Sequence, residues 1–452
     1  MEDLREAAKV AGPAVVNWQK EEIDKQRKKI GKYISDSSDG QPRTAIAKGA
    51  HAASDLTKSA NELRRLRESN AVKVLMRSLY IGIFSEYDVF IGDLLEAIYE
   101  LKPELFKGIK REITLSELLE FASVDAVKQD ILDKEIDSFR RNSYVEQFIE
   151  LESKFDVKTL RTFEEWPAFV ELGQRRNLLT HNGGICSEQY LAMCEKVGFK
   201  FESKPNCGDE LMPSGMYFYN ALFVVAKVAF MLTHTLWRKL LPDEVAKADE
   251  SMNATLYELL SKEWWKHGAE FGKFGLSEPM MRKSTDIDKR IRVINTAIGL
   301  KNREKLDEVK KTLHSMDWTA SIRDFQLAIH VLSDDYKSAG EVMRSIGKKG
   351  EIVEQIAYHT WPLFFKFRDS SEFQKAYEEI YGIPFIEGAT KGAQADVIEG
   401  DNLISDAKEA IQTAATVIDS SESSTDKKGS DKNILRKPSR RKKVKDGDVP
   451  AQ

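Results

Sequence analysis

Arg176, Asn177 and His181 are the residues of this chain best placed to do chemistry. They lie in the run Arg176-Asn177-Leu178-Leu179-Thr180-His181, followed at once by Asn182-Gly183-Gly184. A histidine can move the proton of a ribose 2′-hydroxyl, and an arginine can hold the negative charge that builds on phosphorus. An arginine and a histidine five positions apart, with a polar residue after the arginine, can therefore cut RNA without a metal.

A helix has to carry them. Trp166, Phe169, Val170, Leu172, Leu178 and Leu179 give the segment a helical apolar pattern. Thr162 with Glu165 three positions later reads as a capping box, and Pro167 falls in the first turns, where proline is tolerated. Gly183 and Gly184 supply a left-handed cap beyond the last turn. Asn177 and His181 are spaced i, i+4 and share a face, which Arg176 flanks. His181 belongs to the last turn, where the helix dipole favours its protonated form. The same residues also admit a plainer reading, with Arg175 and Arg176 as a solvated face and His181 as a simple C-cap.

Three features from about Ala71 to Leu240 extend this picture. A long opening helix is expected over Val74 to Leu101. A helix-rich middle follows through SELLEF, AVKQDILDKEIDSFRRN and YVEQFIEL. The segment EEWPAFVELGQRRNLLTHNGGICSEQYL closes the set. In these features the chain resembles the HEPN superfamily of all-helical domains and its "RN…H…G…yL" signature, over somewhat more than a third of its length. The resemblance implies a helical bundle that dimerises, with the R-x4-6-H motifs of two protomers meeting in a cleft. It implies a metal-independent endoribonuclease of the kind found in toxin, abortive-infection and other anti-phage systems. Carried over by position, Arg176 and His181 become the catalytic pair and Asn177 the polar residue beside it. Some members of the superfamily serve instead as binding modules.

The rest of the chain bounds this reading. At 452 residues it has room for two or three domains. Apolar residues make up 41%, enough for a real core, and the net charge is −4, so RNA contact must come from local basic patches. Those patches are expected at Arg175 and, in the tail, at Arg440, Arg441, Lys442 and Lys443. The cysteines Cys186, Cys194 and Cys207 are odd in number and include no C-x-x-C pair, which argues against a disulfide framework or zinc site and fits a reducing cytosol. Cys186 lies close enough to His181 to raise a Cys–His nucleophile, with a small buried thiol as the simpler expectation. The N-terminus lacks the apolar core of a signal peptide. Met216 to Leu241 looks membrane-like, but a lysine near the middle of a lone span costs about 3 kcal/mol. Lys227 therefore favours a buried closing helix and no membrane.

Four regions follow. Residues 1–44 read as a polar helical extension ending in a linker over Ser35 to Pro42. Residues 45–242 read as the bundle, with a loop over Phe201 to Ser214 and a basic cluster at Arg64, Arg65 and Arg67. Residues 243–384 are helical, with a joint at Gly275 and Pro279. There Tyr336, Ala339 and Met343 recur as Phe373, Ala376 and Ile380, with a weaker copy at Leu306, Val309 and Leu313. The spacing approaches that of helix–turn–helix repeats of the tetratricopeptide type, an expected site for a protein regulator, with an irregular bundle as the alternative. Trp361, Phe364, Phe365 and Phe367 are expected in its core. Residues 385–452 read as a largely disordered tail, carrying a short helical stretch NLISDAKEAIQTAATVI and a basic run over Arg436 to Lys445 that would hold polyanions loosely.

No phosphate-binding G-x-x-x-x-G-K-[ST] loop and no H-E-x-x-H occur, and the other histidines are scattered, so no cofactor is expected. The expected fold is all-α. The expected function is a dimeric, cytoplasmic, metal-independent endoribonuclease that leaves 2′,3′-cyclic phosphate ends, in phage defence or as a toxin. Two other readings stand beside it. One is a catalytically silent scaffold or sensor that binds protein or RNA. The other is a nuclease held silent by the C-terminal half until a trigger arrives.

Overall fold

The computed structural model describes residues 1–33, 47–110 and 112–386. Within them the fold is all-α, and the only β pairing is two isolated bridges. The linker at Ser35–Pro42, the stretch Asn402–Ile418 and the basic run Arg436–Lys445, with Arg440, Arg441, Lys442 and Lys443, lie outside the described residues. All that follows concerns the unit Met1–Phe385.

The first nine helices are α1 (Glu2–Gly31), α2 (Ala50–Arg67), α3 (Ala71–Leu101), α4 (Leu115–Leu118), α5 (Val124–Arg141), α6 (Tyr144–Phe155), α7 (Trp166–His181), α8 (Glu188–Lys196) and α9 (Gly215–Leu240). Helix α3 is the hub, packed on α1, α5, α7 and α9. Its Tyr80, Ile83, Phe84, Tyr87, Ile91 and Leu95 recur at helical spacing and are all buried. Helix α1 lies against both α2 and α3, so residues ahead of the linker belong to the packed structure.

Helix α9 is long and apolar enough to cross a membrane by length and composition. Here it lies against α3, α7, α10 and α11, and its Lys227 is ion-paired with Glu165. That pair also accounts for a departure from expectation at the start of α7. Glu165 is the N-cap but its side chain makes no capping bond, while the Thr162 hydroxyl donates to the Thr159 carbonyl at 2.8 Å. The expected capping box is absent because the Glu165 carboxylate neutralises a buried ammonium, whose charge could not otherwise stay in the core.

The remaining helices are α10 (Val245–Ser261), α11 (Trp265–Gly275), α12 (Glu278–Met281), α13 (Asp286–Lys301), α14 (Leu306–Leu313), α15 (Arg323–Leu332), α16 (Tyr336–Ile346), α17 (Gln355–Thr360) and α18 (Ser371–Tyr381). Three pairs, α10/α11, α13/α14 and α15/α16, are hairpins closed by the same turn. Glu263, Glu304 and Asp334 each take positive φ, at 56°, 59° and 60°. The next amide in each turn reaches back five residues, Trp264 to Leu259, Lys305 to Leu300 and Asp335 to His330. This is the bonding of a Schellman cap. Val309, Leu313, Ala339, Met343, Phe373 and Ala376 are buried in one apolar core with Trp361, Phe364 and Phe367. That aromatic run is wound into 3-10 turns, with Phe365 half-exposed.

Two cores meet at α10 and α11. Met252, Leu256 and Phe271 belong to the core of α3, α7 and α9, whereas Leu260 and Ala269 belong to that of α13–α18. Between them sits a buried charge knot. Asp249 accepts from Arg238 on α9, from Arg292 on α13 at 2.5 Å and from the Ser284 hydroxyl at 3.0 Å.

Candidate active site

Arg176, Asn177 and His181 line one cleft of about 570 Å³. Helix α7 forms its floor. The end of α5, the turn into α6 and the start of α8 form its walls, and Asp88 enters from α3. His181 is the last residue of α7, and its ring is exposed at the rim. Gly183 and Gly184 follow at φ 60° and 84°, the left-handed exit that two glycines permit. The Gly184–Cys186 strip is then held by backbone bonds to the loop before α9. Cys186 donates to Asp209 at 2.8 Å, and Leu211 donates to Gly184 at 2.8 Å. The segment beyond His181 is thus anchored at both ends.

Arg176 is half-buried. One of its terminal nitrogens donates to Asn177 Oδ1 at 3.2 Å, so Asn177 orients the guanidinium, and its Nε is buried with no hydrogen-bond partner. Opposite stands Asp88, one of whose carboxylate oxygens is likewise buried and unbonded. Burial raises the Asp88 pKa above the ordinary carboxylate value; Arg176, a hydrogen bond with Tyr144, and Arg140 act against that rise. The Tyr144 phenol is pushed up as well, by burial first and then by the Asp88 charge, and stays a proton donor.

Two glycines make this packing possible. A Cβ at Gly92 would fall 1.7 Å from Arg140 Nη2, and one at Gly173 would fall 2.7 Å from the Tyr144 ring. Gly92 leaves a seat on α3 in which Arg140 donates to the Asp88 carbonyl at 2.8 Å. Gly173 lets α7 close on Tyr144, which also packs on Phe84, Tyr87 and Phe169. The α5–α6 turn is fixed from within by Gln147, whose amide donates to the Asn142 carbonyl at 3.1 Å. The cleft gathers Arg140, Arg141, Arg176 and His181 around one carboxylate, a cationic surface on a chain with net charge −4. Such a surface suits a phosphodiester.

Arg175 is directed elsewhere. Neighbours on a helix point about 100° apart, and its guanidinium turns inward to Glu171 at 2.9 Å and over the Tyr217 ring at 4.5 Å. Glu171, almost fully buried, also accepts from the hydroxyls of Tyr190 and Tyr217, each at 2.6 Å. Tyr190 faces the cleft, whereas Tyr217 and Arg175 face a second cavity. Cys186 is buried and burial pushes its thiol up, so it is not a ready nucleophile. Among the described residues no cluster of His, Cys, Asp or Glu could hold a metal ion.

Asp88, Tyr144, Arg140 and Arg141 were not anticipated as site residues. Only the adjacent arginines ahead of Asn142, and Gly92 as one of two glycines inside the apolar run of α3, hinted at them. Comparison with protein-family models, with curated proteins and with solved structures gave no match.

Proposed function

We propose that this chain is a metal-independent endoribonuclease of the HEPN type, acting as a dimer in phage defence or as a toxin. The observation that carries the reading is the convergence of Arg176, Asn177 and His181 in one cationic cleft. In the reaction, His181 takes the proton of a ribose 2′-hydroxyl as that oxygen attacks the adjacent phosphorus. The P–O5′ bond breaks, and the 5′-oxygen leaves with a proton from a second, protonated imidazole. A dimer that joins two motifs supplies that second histidine. Arg176, oriented by Asn177, holds the charge on the pentavalent phosphorus. The products are a 2′,3′-cyclic phosphate and a 5′-hydroxyl. Arg140 and Arg141 hold the flanking backbone. The hairpins of α13–α16 read as a tetratricopeptide-like surface for a protein regulator, and the setting is the cytoplasm.

The test compares wild type with His181→Ala on total RNA in EDTA. Among the described residues the His181 ring has no hydrogen-bond or ion-pair partner, and it is exposed, so its loss should leave stability within about 0.5 kcal/mol. Cleavage should fall by about 10²–10⁴. Equal cleavage by both proteins would remove His181 from the chemistry, and no cleavage by a folded wild-type dimer given infected-cell extract as trigger would favour a silent scaffold instead.

A further inference from the structure

A second cavity, of about 980 Å³, is separate from the cleft. It lies between the start of α1, the first half of α9, the α10–α11 turn and the Phe199–Ser203 loop. Its size is that of a small-molecule site. Aromatic rings dominate its walls, chiefly Trp264, Phe223, Tyr219 and Phe201.

The charges around those rings are lopsided. Arg5, Lys200 and Lys266 all line the cavity, and among the described residues none of them is within ion-pair distance of a carboxylate. Glu202 is the one acidic residue on the wall. The Arg5 guanidinium lies 4.2 Å over Trp264, and the Lys266 ammonium 4.0 Å over Phe223. Arg5 Nε is buried there with no hydrogen-bond partner. Partial burial lowers the Lys266 pKa, with Arg303 next as cause, so an anion beside it would offset a partly desolvated charge. Asn220 and Ser214 add neutral hydrogen-bonding groups at the wall.

We propose that this cavity binds a nucleotide, with its phosphates on Arg5, Lys200 and Lys266 and its base against the aromatic walls. With Arg175 paired to Glu171, the charges of Arg5, Lys200 and Lys266 against Glu202 leave an excess of two, which matches a nucleoside diphosphate better than a neutral metabolite. The flat rings suit a base better than they suit inorganic phosphate alone. The proposal is independent of what the cleft does.

The experiment is calorimetric titration of the full chain with ADP, GDP and UDP, and separately with adenosine and pyrophosphate. At least one diphosphate should bind at a single site, and more tightly than either fragment. Lys266→Met, at an exposed position that the core does not need, should weaken binding about tenfold, as for loss of one charged contact. Trp264→Leu should weaken it too, while Arg176→Ala in the cleft should not. Three results would overturn the proposal: no diphosphate bound below about 1 mM, pyrophosphate binding as tightly as the nucleotide, or unchanged affinity in Lys266→Met.

Discussion

Replacing Asp249 by alanine tests whether the two cores are held together by one carboxylate. Asp249 is fully buried, and the side chains of Arg238 and Arg292 that reach it are 7% and 0% exposed. Without it, Arg292 keeps bonds to the carbonyls of Gly275 and Met280 at 3.1 Å each, while Arg238 keeps only a 3.5 Å approach to the Arg282 carbonyl. Two guanidinium groups would then face each other in the interior with no carboxylate in ion-pair contact. Removing one partner of a buried pair costs about 3–5 kcal/mol, and two cations sharing one anion put this site at the upper end. The loss should not double, because Arg292 retains its carbonyl partners. Urea unfolding of the full chain, followed by near-ultraviolet circular dichroism, measures it. The triple variant Arg238→Leu, Asp249→Leu, Arg292→Met should recover most of the lost stability, since an apolar set of similar volume has no charge to strand. A loss below about 1 kcal/mol for Asp249→Ala, or a triple variant less stable than the single, would refute the reasoning.

Gly92→Ala should lower stability by about 1–2 kcal/mol, because the lost charged bond of Arg140 outweighs a helix gain of about 1 kcal/mol. In an Arg140→Ala background the same change should stabilise, and additivity of the two in a double-mutant cycle would refute the seat on α3. Acid should weaken the fold through His234 and His267. Burial first, then Arg238 for His234 and Arg5 for His267, holds their pKa values at about 3 and about 4 in the folded state. The unfolded chain binds more protons below pH 6.5, so stability present at pH 7 falls with pH, by roughly 2 kcal/mol for each histidine at pH 5. His234→Gln should remove about half of that slope in urea midpoints measured from pH 7 to pH 5. At Glu304, with φ 59°, glycine should be more stable than alanine by about 1 kcal/mol in thermal unfolding; alanine equal to glycine would rule out left-handed strain in the hairpin turn.

Local signals carried much of this molecule into view. The apolar spacing of α3, α7 and α9 reads directly as helix, and Lys227 favoured a buried closing helix for α9 over a lone span; its ion pair with Glu165 was not legible. Gly183 and Gly184 marked the end of α7, and with it the position of His181. What stayed hidden depends on distant pairing. Asp88 and Arg140 meet Arg176 only because α5 seats on α3 at Gly92 and the start of α6 seats on α7 at Gly173, and no spacing within one segment reports that. Arg175 and Arg176 look equivalent in the sequence, yet helical rotation gives one to a buried carboxylate and the other to the cleft. The α10/α11 hairpin was missed because Glu263 is an unusual residue for a left-handed turn. Its kinship with Glu304 and Asp334 appears only in the backbone angles and the hydrogen bond of the next amide.

Glu171 gives the bundle a shared wall. One carboxylate accepts from Tyr190 on the cleft side and from Tyr217 on the cavity side, and Arg175 neutralises it from the cavity side. Two chambers divided by one hydrogen-bonded group are thermodynamically reciprocal. If an occupant of the cavity changes the affinity of the cleft for its substrate by some factor, that substrate must change the affinity of the cavity by the same factor. A substrate analogue held in the cleft would then reveal an effector of the cavity without any turnover, by tightening or loosening its grip.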